Sequence, residues 1–159
     1  MGYTTEFDGS VSIEPPLNEQ EIAFLKVFSG TRRMNRKKGP YYAVDDGDYG
    51  QNREDDIINY NRPPPGQPGL CCQWIPTEDG SEIEWDGGEK FYNSVEWMCY
   101  IIDHFLAPNA KAKDILPFLQ ANHTVNGEIE AQGEESDDRW KLIVKNNKVT
   151  TKRGRTVYD

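Results

Sequence analysis

The chain has 159 residues, a length typical of one domain, and its 27 acidic and 18 basic residues give a net charge of −9. No run of about 20 apolar residues occurs, which excludes a membrane-spanning helix, and the first ten residues lack the basic start and apolar run of a secretory signal. We therefore expect a single domain over residues 1–159, cytoplasmic and without membrane contact, with 155–159 as a frayed tail.

The first strand and the first helix have clear signals. Apolar residues alternate with polar ones over Tyr3–Ile13, which is typical of a strand with one buried face. Asn18 is a favourable N-cap, and Glu21, three residues later, completes a capping box. A helix is therefore predicted to begin after Asn18 and to end at Ser29-Gly30.

The segment from residue 31 to residue 69 is rich in Gly, Pro, Asp and Asn, which predicts a long irregular insertion. Within it, short strands are predicted at Tyr41–Val44 and Ile57–Tyr60. The proline-rich stretch Asn61–Gly69 is interpreted as a stiff connector, with a polyproline ligand or a pocket wall as alternatives.

The second half of the chain contains further alternating and helical patterns. They predict a hairpin of Leu70–Pro76 and Glu82–Asp86, a helix over Lys90–Leu106, a short amphipathic stretch at Asp114–Ala121, a strand over Thr124–Gln132, and a hairpin of Trp140–Val144 and Lys148–Thr151. The order of these elements predicts an α+β fold with a ferredoxin-like βαββαβ core, both helices on one sheet face, and an extra C-terminal β-hairpin.

Several long motifs carry a resemblance to known sequences. They are Gly2–Phe7, Thr31–Met34, Asn61–Pro64 with Gln67–Leu70, Gln73–Gly80, Ile83–Tyr92, and Asn126–Glu130 with Gln132–Glu134. With these motifs the chain resembles a family of small bacterial and phage proteins of unknown function. It departs from the family at Cys71 and Ala131, where a Trp is expected, and by an insertion near Ala110–Ala121. The resemblance implies a single domain and brings no activity, ligand or catalytic residue.

Metal and cofactor chemistry have little support in the sequence. Cys71, Cys72 and Cys99 are interpreted as reduced thiols, with Cys99 in the core, and neither His104 nor His123 has the spacing of a zinc ligand pair. There is no nucleophile elbow, phosphate loop or dinucleotide fingerprint. We predict no metal and no cofactor, and an enzymatic function is disfavoured without being excluded.

The strongest functional signal is the distribution of basic residues. Two segments without any acidic residue, Thr31–Lys38 and Arg139–Arg155, hold 12 of the 18 basic residues. If the two segments meet, they form one anion-binding face, because Arg side chains suit phosphate and carboxylate geometry. The residues assigned to this face are Arg32, Arg33, Arg36, Lys152, Arg153 and Arg155. The opposing interpretation is that acidic loops neutralise these charges within the fold.

A pocket wall is predicted beside this face, formed by Arg62, Trp74, Trp85, Gly87 and Gly88. Gly87-Gly88 before a helix is typical of a tight turn, and less often of an anion site made by backbone N–H groups.

Three functional hypotheses follow from these patterns. The first is a non-enzymatic binding or regulatory protein that engages another macromolecule, expected to be a protein, through the basic patch and the proline-rich loop. The second is a small enzyme that binds a nucleotide or phosphate ligand between Gly87-Gly88 and Arg32-Arg33. The third is an RNA- or DNA-binding module, although a pI of about 4.8 disfavours it. The sequence does not indicate the oligomeric state.

Overall fold

The structure is a computed structural model that describes residues 2–45, 49–51 and 55–154. It is an α+β fold with two sheets. The strands are β1 (Glu6–Glu14), β2 (Asn35–Arg36), β3 (Ile57–Asn59), β4 (Trp74–Pro76), β5 (Glu82–Trp85), β6 (Thr124–Gln132), β7 (Arg139–Lys145) and β8 (Lys148–Arg153). The main sheet has six antiparallel strands in the order β4-β5-β1-β6-β7-β8, and β2 and β3 form a separate pair.

Helix α1 (Glu19–Gly30) begins as the sequence predicts. The Asn18 side chain accepts a hydrogen bond from the Glu21 N–H at 2.7 Å, and the Glu21 carboxylate accepts one from the Asn18 N–H at 2.9 Å. The capping box is therefore confirmed, and it satisfies N–H groups that have no partner inside the helix.

The second helix is shorter than predicted. Helix α2 covers Ser94–Ile101 and continues as a π-helical segment over Ile102–Leu106. The prediction that it begins at Lys90 is wrong because Lys90 and Asn93 have positive φ values of 57° and 60°, which interrupt right-handed helix.

The main sheet buries one face against the helices. β1 directs Phe7, Val11 and Ile13 into the core, and alternate residues of β6 and β7 do the same. Helix α1 packs against β4, and α2 packs against β4 and β8. The period of two in each strand therefore separates a buried face from a face that points away from the helices.

Two further predicted elements are corrected by the structure. Tyr41–Val44 is not a strand. Arg33 donates to the carbonyl of Tyr42, and the Thr31 hydroxyl donates to the carbonyl of Val44 and accepts from its N–H. These side chains take the place of a neighbouring strand as hydrogen-bond partners. The amphipathic stretch Asp114–Ala121, predicted to add one or two helical turns, forms turns without a regular helix, with Pro117 in its middle.

The C-terminal hairpin is confirmed, with slightly longer strands than predicted. Asn146 and Asn147 connect β7 to β8 with φ values of 48° and 69°, as a tight two-residue hairpin turn requires. None of the helices in the described part of the chain has the length and apolar character to cross a membrane.

Candidate interaction surface

The face of the main sheet that points away from the helices, here called the open face, carries mostly polar side chains. Strand alternation places polar and charged side chains on it from five strands. Its members are Glu6, Asp8, Ser10, Ser12 and Glu14 of β1, Glu82 and Glu84 of β5, Thr124, Asn126, Glu128, Glu130 and Gln132 of β6, Arg139, Lys141, Ile143 and Lys145 of β7, and Lys148, Thr150 and Lys152 of β8.

Charge on the open face is divided between strands. The acidic half consists of the carboxylates on β1, β5 and β6, namely Glu6, Asp8, Glu14, Glu82, Glu84, Glu128 and Glu130. The basic half consists of the cations on β7 and β8, namely Arg139, Lys141, Lys145, Lys148 and Lys152. The boundary between the halves lies between β6 and β7, where Lys141 Nζ is 3.4 Å from Glu128 Oε2.

Two depressions include residues of the open face in their lining. The first has a volume of about 740 Å³ and takes its lining from both sides of the sheet. Asp8, Glu130, Lys141 and Lys152 belong to the open face, whereas Phe7, Trp85, Trp140 and Arg153 belong to the opposite side. The second has a volume of about 950 Å³ and a neutral to acidic lining that includes Ser12, Glu14, Asn122 and Asn126. The first depression therefore contains the charge boundary.

Two of the arginines predicted to bind an external anion are buried. Arg33 is 2% exposed and donates to the carbonyls of Phe28, Pro40 and Tyr42 at 2.6 to 3.2 Å, with its guanidinium 4.0 Å above the Phe28 ring. Burial lowers the pKa of Arg33 to about 10, so it stays charged at neutral pH. This placement removes Arg33 from any surface that an external anion can reach.

Arg36 also points inward. It is 4% exposed, donates to the carbonyl of Gly50, and lies 3.5 Å from the Asp56 carboxylate and 4.3 Å above the Tyr42 ring. Both arginines thus fasten the irregular segment to itself and to α1, and we correct their assignment to the anion-binding face.

The remaining members of the predicted basic face are distributed over different parts of the fold. Arg32 is half-buried and donates to the carbonyl of Tyr60 at 3.1 Å. Arg153 lies on the opposite side of β8 from the open face and bonds Asp138 at 2.8 Å. Lys152 belongs to the basic half of the open face, and Arg155 lies outside the described residues.

The predicted pocket wall is partly assembled. Trp74 is fully buried and donates to the Ser94 carbonyl at 2.8 Å, whereas Trp85 is half-buried, donates to Gln73 at 2.9 Å and lines the first depression. The side chain of Arg62 is exposed, and its carbonyl accepts from the Asn35 N–H. Of the predicted wall, Trp85 alone lines the first depression, and it does so from the core side of the sheet.

The Gly87-Gly88 turn is occupied by its own chain. The Gly88 N–H donates to the Asp86 carboxylate at 2.7 Å. Asp86 and Arg32 both lie close enough to Cys71 for their charges to act on its thiol, although burial is the main reason that its pKa is raised. A carboxylate at this turn repels a phosphate, so the geometry disfavours an anion site here.

A second polar cluster surrounds the π-helical segment. Tyr41 Oη is 2.7 Å from His104 Nδ1, the His104 ring stacks on Tyr100 at 3.8 Å, and Gln67 donates to Tyr100 Oη at 3.0 Å. Burial, together with Lys111, lowers the pKa of His104 to about 4, so its imidazole is neutral at pH 7. These bonds, with one from Asn93 to Pro68, fasten the proline-rich stretch to α2 and away from the open face.

Burial raises the pKa of all three thiols, which disfavours the reactive thiolate form at neutral pH. Cys72, and not Cys99 as predicted, is the cysteine in the core, and burial raises its pKa to about 12. Within the described ranges, no three His, Cys, Asp or Glu side chains come together as ligands of one metal ion.

Sequence reasoning grouped the charges of the C-terminal segment but did not assign Arg139, Lys141, Lys145 or Lys148 to a site. The sequence does contain a pattern that groups three of them. Alternation along Arg139–Lys145 places Arg139, Lys141 and Lys145 on the face opposite Leu142 and Val144. The acidic half was missed because Glu and Asp on exposed strand positions look like ordinary solvated charge.

No family model, curated protein or solved structure matches the chain.

Proposed function

We propose that this chain is a non-enzymatic binding protein that engages another protein through the open face of its main sheet. The observation that carries the proposal is the division of this face into an acidic and a basic half. Complementary charge steers association and selects partners more than it adds affinity. A protein surface with patches of both signs fits the two halves.

A nucleic-acid partner finds less support. The acidic half occupies β1 and β6, the central strands of the sheet, where it repels a phosphate backbone. In sheet-face RNA binding, bases stack on exposed aromatic side chains. Of the described aromatic residues on the main sheet, Phe7, Trp74, Trp85 and Trp140 belong to the aromatic cluster on the core side.

The nucleotide-binding enzyme also finds less support. Its proposed site needs Arg33 and the Gly88 N–H, but the first is buried against backbone carbonyls and the second donates to Asp86. The Tyr41–His104 pair resembles an acid–base arrangement, yet it lies beside the proline-rich stretch and serves as a packing contact. We therefore retain the binding protein as the proposed function.

We further infer that β1, α1, β4, β5, α2 and β6 form a ferredoxin-like core, extended by the β7–β8 hairpin. The support is the neighbour order β4-β5-β1-β6 together with the connection of β1 to β4 and of β5 to β6 through helices. Two expectations from the sequence remain proposals: membership of the bacterial and phage family, and a cytoplasmic location.

The proposed function is tested by affinity capture from a cell lysate at low salt, with captured proteins quantified by mass spectrometry. The face variant carries Lys141→Glu and Lys152→Glu, and the control carries Lys26→Glu and Lys113→Glu, which change the net charge equally at exposed positions off the open face. We expect the wild type and the control to retain proteins that the face variant loses. Equal capture by both variants, no capture by the wild type, or capture that nuclease abolishes contradicts the proposal.

A further inference from the structure

One row of four residues crosses the charge boundary of the open face. The strand register places Asp8 opposite Glu130, Glu130 opposite Lys141, and Lys141 opposite Lys152. From β1 to β8 the row therefore reads negative, negative, positive, positive. All four residues belong to the lining of the first depression.

This order is unfavourable within one sheet. Like charges directly opposite each other on neighbouring strands are destabilising, and opposite charges are stabilising. The row contains two like-charged neighbours, Asp8 with Glu130 and Lys141 with Lys152, and the Lys145–Lys148 pair repeats the pattern near the turn. Lys141 faces Glu130 and lies 3.4 Å from Glu128, so within the chain it meets opposite charge on its β6 side and like charge on its β8 side. Alternating signs would satisfy the sheet better, and a partner that covers the row with opposite charge accounts for the two like-charged pairs.

We propose that the partner is a second copy of this chain, which packs open face to open face about a two-fold axis. The proposal rests on the proposed function, because it requires the open face to be an interaction surface. A row that reads −, −, +, + becomes its own complement when it is reversed. A two-fold axis parallel to the strands and midway between β6 and β7 performs this reversal.

The axis fixes the contacts. Glu130 of one copy faces Lys141 of the other, and Asp8 faces Lys152, each contact occurring twice. An axis perpendicular to the strands instead places the acidic halves on each other and is repulsive. The charge pattern therefore selects one of the two face-to-face arrangements.

The width of the contact sets its strength. Four strands spaced about 4.8 Å apart span about 14 Å, which is narrow for a stable interface. The pairs are exposed and screened by salt, since the Debye length is about 8 Å at physiological ionic strength. The dimer is therefore a weak one that forms at low ionic strength and high protein concentration.

The direct test is sedimentation analysis of charge-reversed variants at low and physiological salt. We expect the wild type to dimerise at low salt and to dissociate as salt rises, and we expect Lys141→Glu or Glu130→Lys alone to weaken association at least tenfold. An equimolar mixture of the two single variants restores it, because each copy then supplies the charge that the other needs. Lys113→Glu, exposed and off the open face, leaves it unchanged.

A zero-length carbodiimide crosslink between Asp8 and Lys152 provides independent support. Within one chain these residues are three strands apart, about 14 Å, beyond the reach of the reagent, whereas the dimer brings them together. Thermal unfolding of each variant shows that the fold is retained. A wild type that is monomeric at low salt, single reversals without effect, or a mixture that fails to associate overturns the proposal. A monomer that still captures another protein through the open face overturns the dimer alone and leaves the proposed function standing.

Discussion

Glu21 and His123 form a fully buried ion pair where α1 begins. Both side chains are 0% exposed, and His123 Nε2 lies 2.9 Å from one Glu21 oxygen, while its Nδ1 lies 2.6 Å from the Pro15 carbonyl. Since a carbonyl only accepts, Nδ1 carries a proton, and the charged form of the imidazole donates from both nitrogens. The carboxylate also accepts from the backbone N–H groups of Asn18 and Gln120.

The pair makes stability depend on pH from both sides. Burial alone raises the pKa of Glu21 and lowers that of His123, but hydrogen bonds outweigh burial, so the Glu21 pKa is lowered from 4.5 and the His123 pKa is raised from 6.5. The Glu21 contribution is lost as pH falls through its lowered pKa, and the His123 contribution is lost as pH rises through its raised pKa. We expect urea unfolding at a series of pH values to show this contribution at its maximum between pH 4.5 and 6.5.

Removing one partner of the pair is expected to be costly. Glu21→Gln leaves an imidazolium buried without its counter-charge, which lowers the free energy of unfolding by about 3–5 kcal/mol. Glu19→Gln, at an exposed position in the same helical turn, serves as the control and changes it little. Equal losses in both variants contradict a specific role for the buried pair.

At the scale of elements, Arg33 holds the irregular segment 31–69 in place. Its three carbonyl acceptors lie at the end of α1 and in residues 40–42, so one side chain connects the helix to the loop. Lys cannot reproduce this planar fork. Arg33→Lys is therefore expected to lower the free energy of unfolding by about 3 kcal/mol and to speed hydrogen exchange at residues 40–44.

Arg32→Lys is the matched control for this prediction, because Arg32 is half-buried and makes one hydrogen bond to Tyr60. Its effect is expected to be smaller and confined to the neighbourhood of β3. If hydrogen exchange at residues 40–44 is the same in both variants, Arg33 does not organise the segment.

The pairing of β1 with β6 depends on a glycine. Gly127 has a φ of +146°, and a Cβ there would lie 2.9 Å from Val11 Cα and 3.1 Å from the Ser10 carbonyl oxygen. Gly127→Ala is expected to lower the free energy of unfolding by about 1–3 kcal/mol, through backbone strain and crowding. Gly30→Ala, where no atom lies within 4 Å, should be neutral or slightly stabilising in the same urea titration.

The elements that the sequence predicts well are those whose signals are local. The capping box of α1, the alternation of β6 and the Asn146-Asn147 turn each depend on neighbouring residues, and all three are found in the structure. Tyr41–Val44 fails because its partners are the side chains of Thr31 and Arg33, which no local pattern reveals. The same reason explains why the burial of Arg33 was not predicted. A basic residue among other basic residues is expected to be exposed, and the carbonyls that bind Arg33 come together only in the folded chain.

For the whole molecule, the sequence gives the charge asymmetry correctly but not its location. The cations at Arg139, Lys141 and Lys145 reach a common surface because β7 is a strand, whereas those at Arg33 and Arg36 are drawn inward by an irregular segment. Acidic strands β1 and β6 become neighbours only through the sheet order, since more than 100 residues separate them. The open face therefore depends on the order of the strands in the sheet. The sequence shows which residues of one strand share a face, but it does not show which strands are neighbours.

The open face also predicts a conflict between stability and association. Lys152→Glu places a carboxylate opposite Lys141, replacing a like-charged cross-strand pair with an opposite-charged one. At a protein concentration low enough for the wild type to be monomeric, we expect thermal unfolding at low salt to shift slightly upward in this variant. At high concentration, sedimentation is expected to show weakened dimerisation because Asp8 of the second copy loses its cation. Lys113→Glu adds the same charge change away from the sheet and should do neither. A variant that loses stability and association together would mean that Lys152 supports the fold, and that the order of charges along the row needs no partner to explain it.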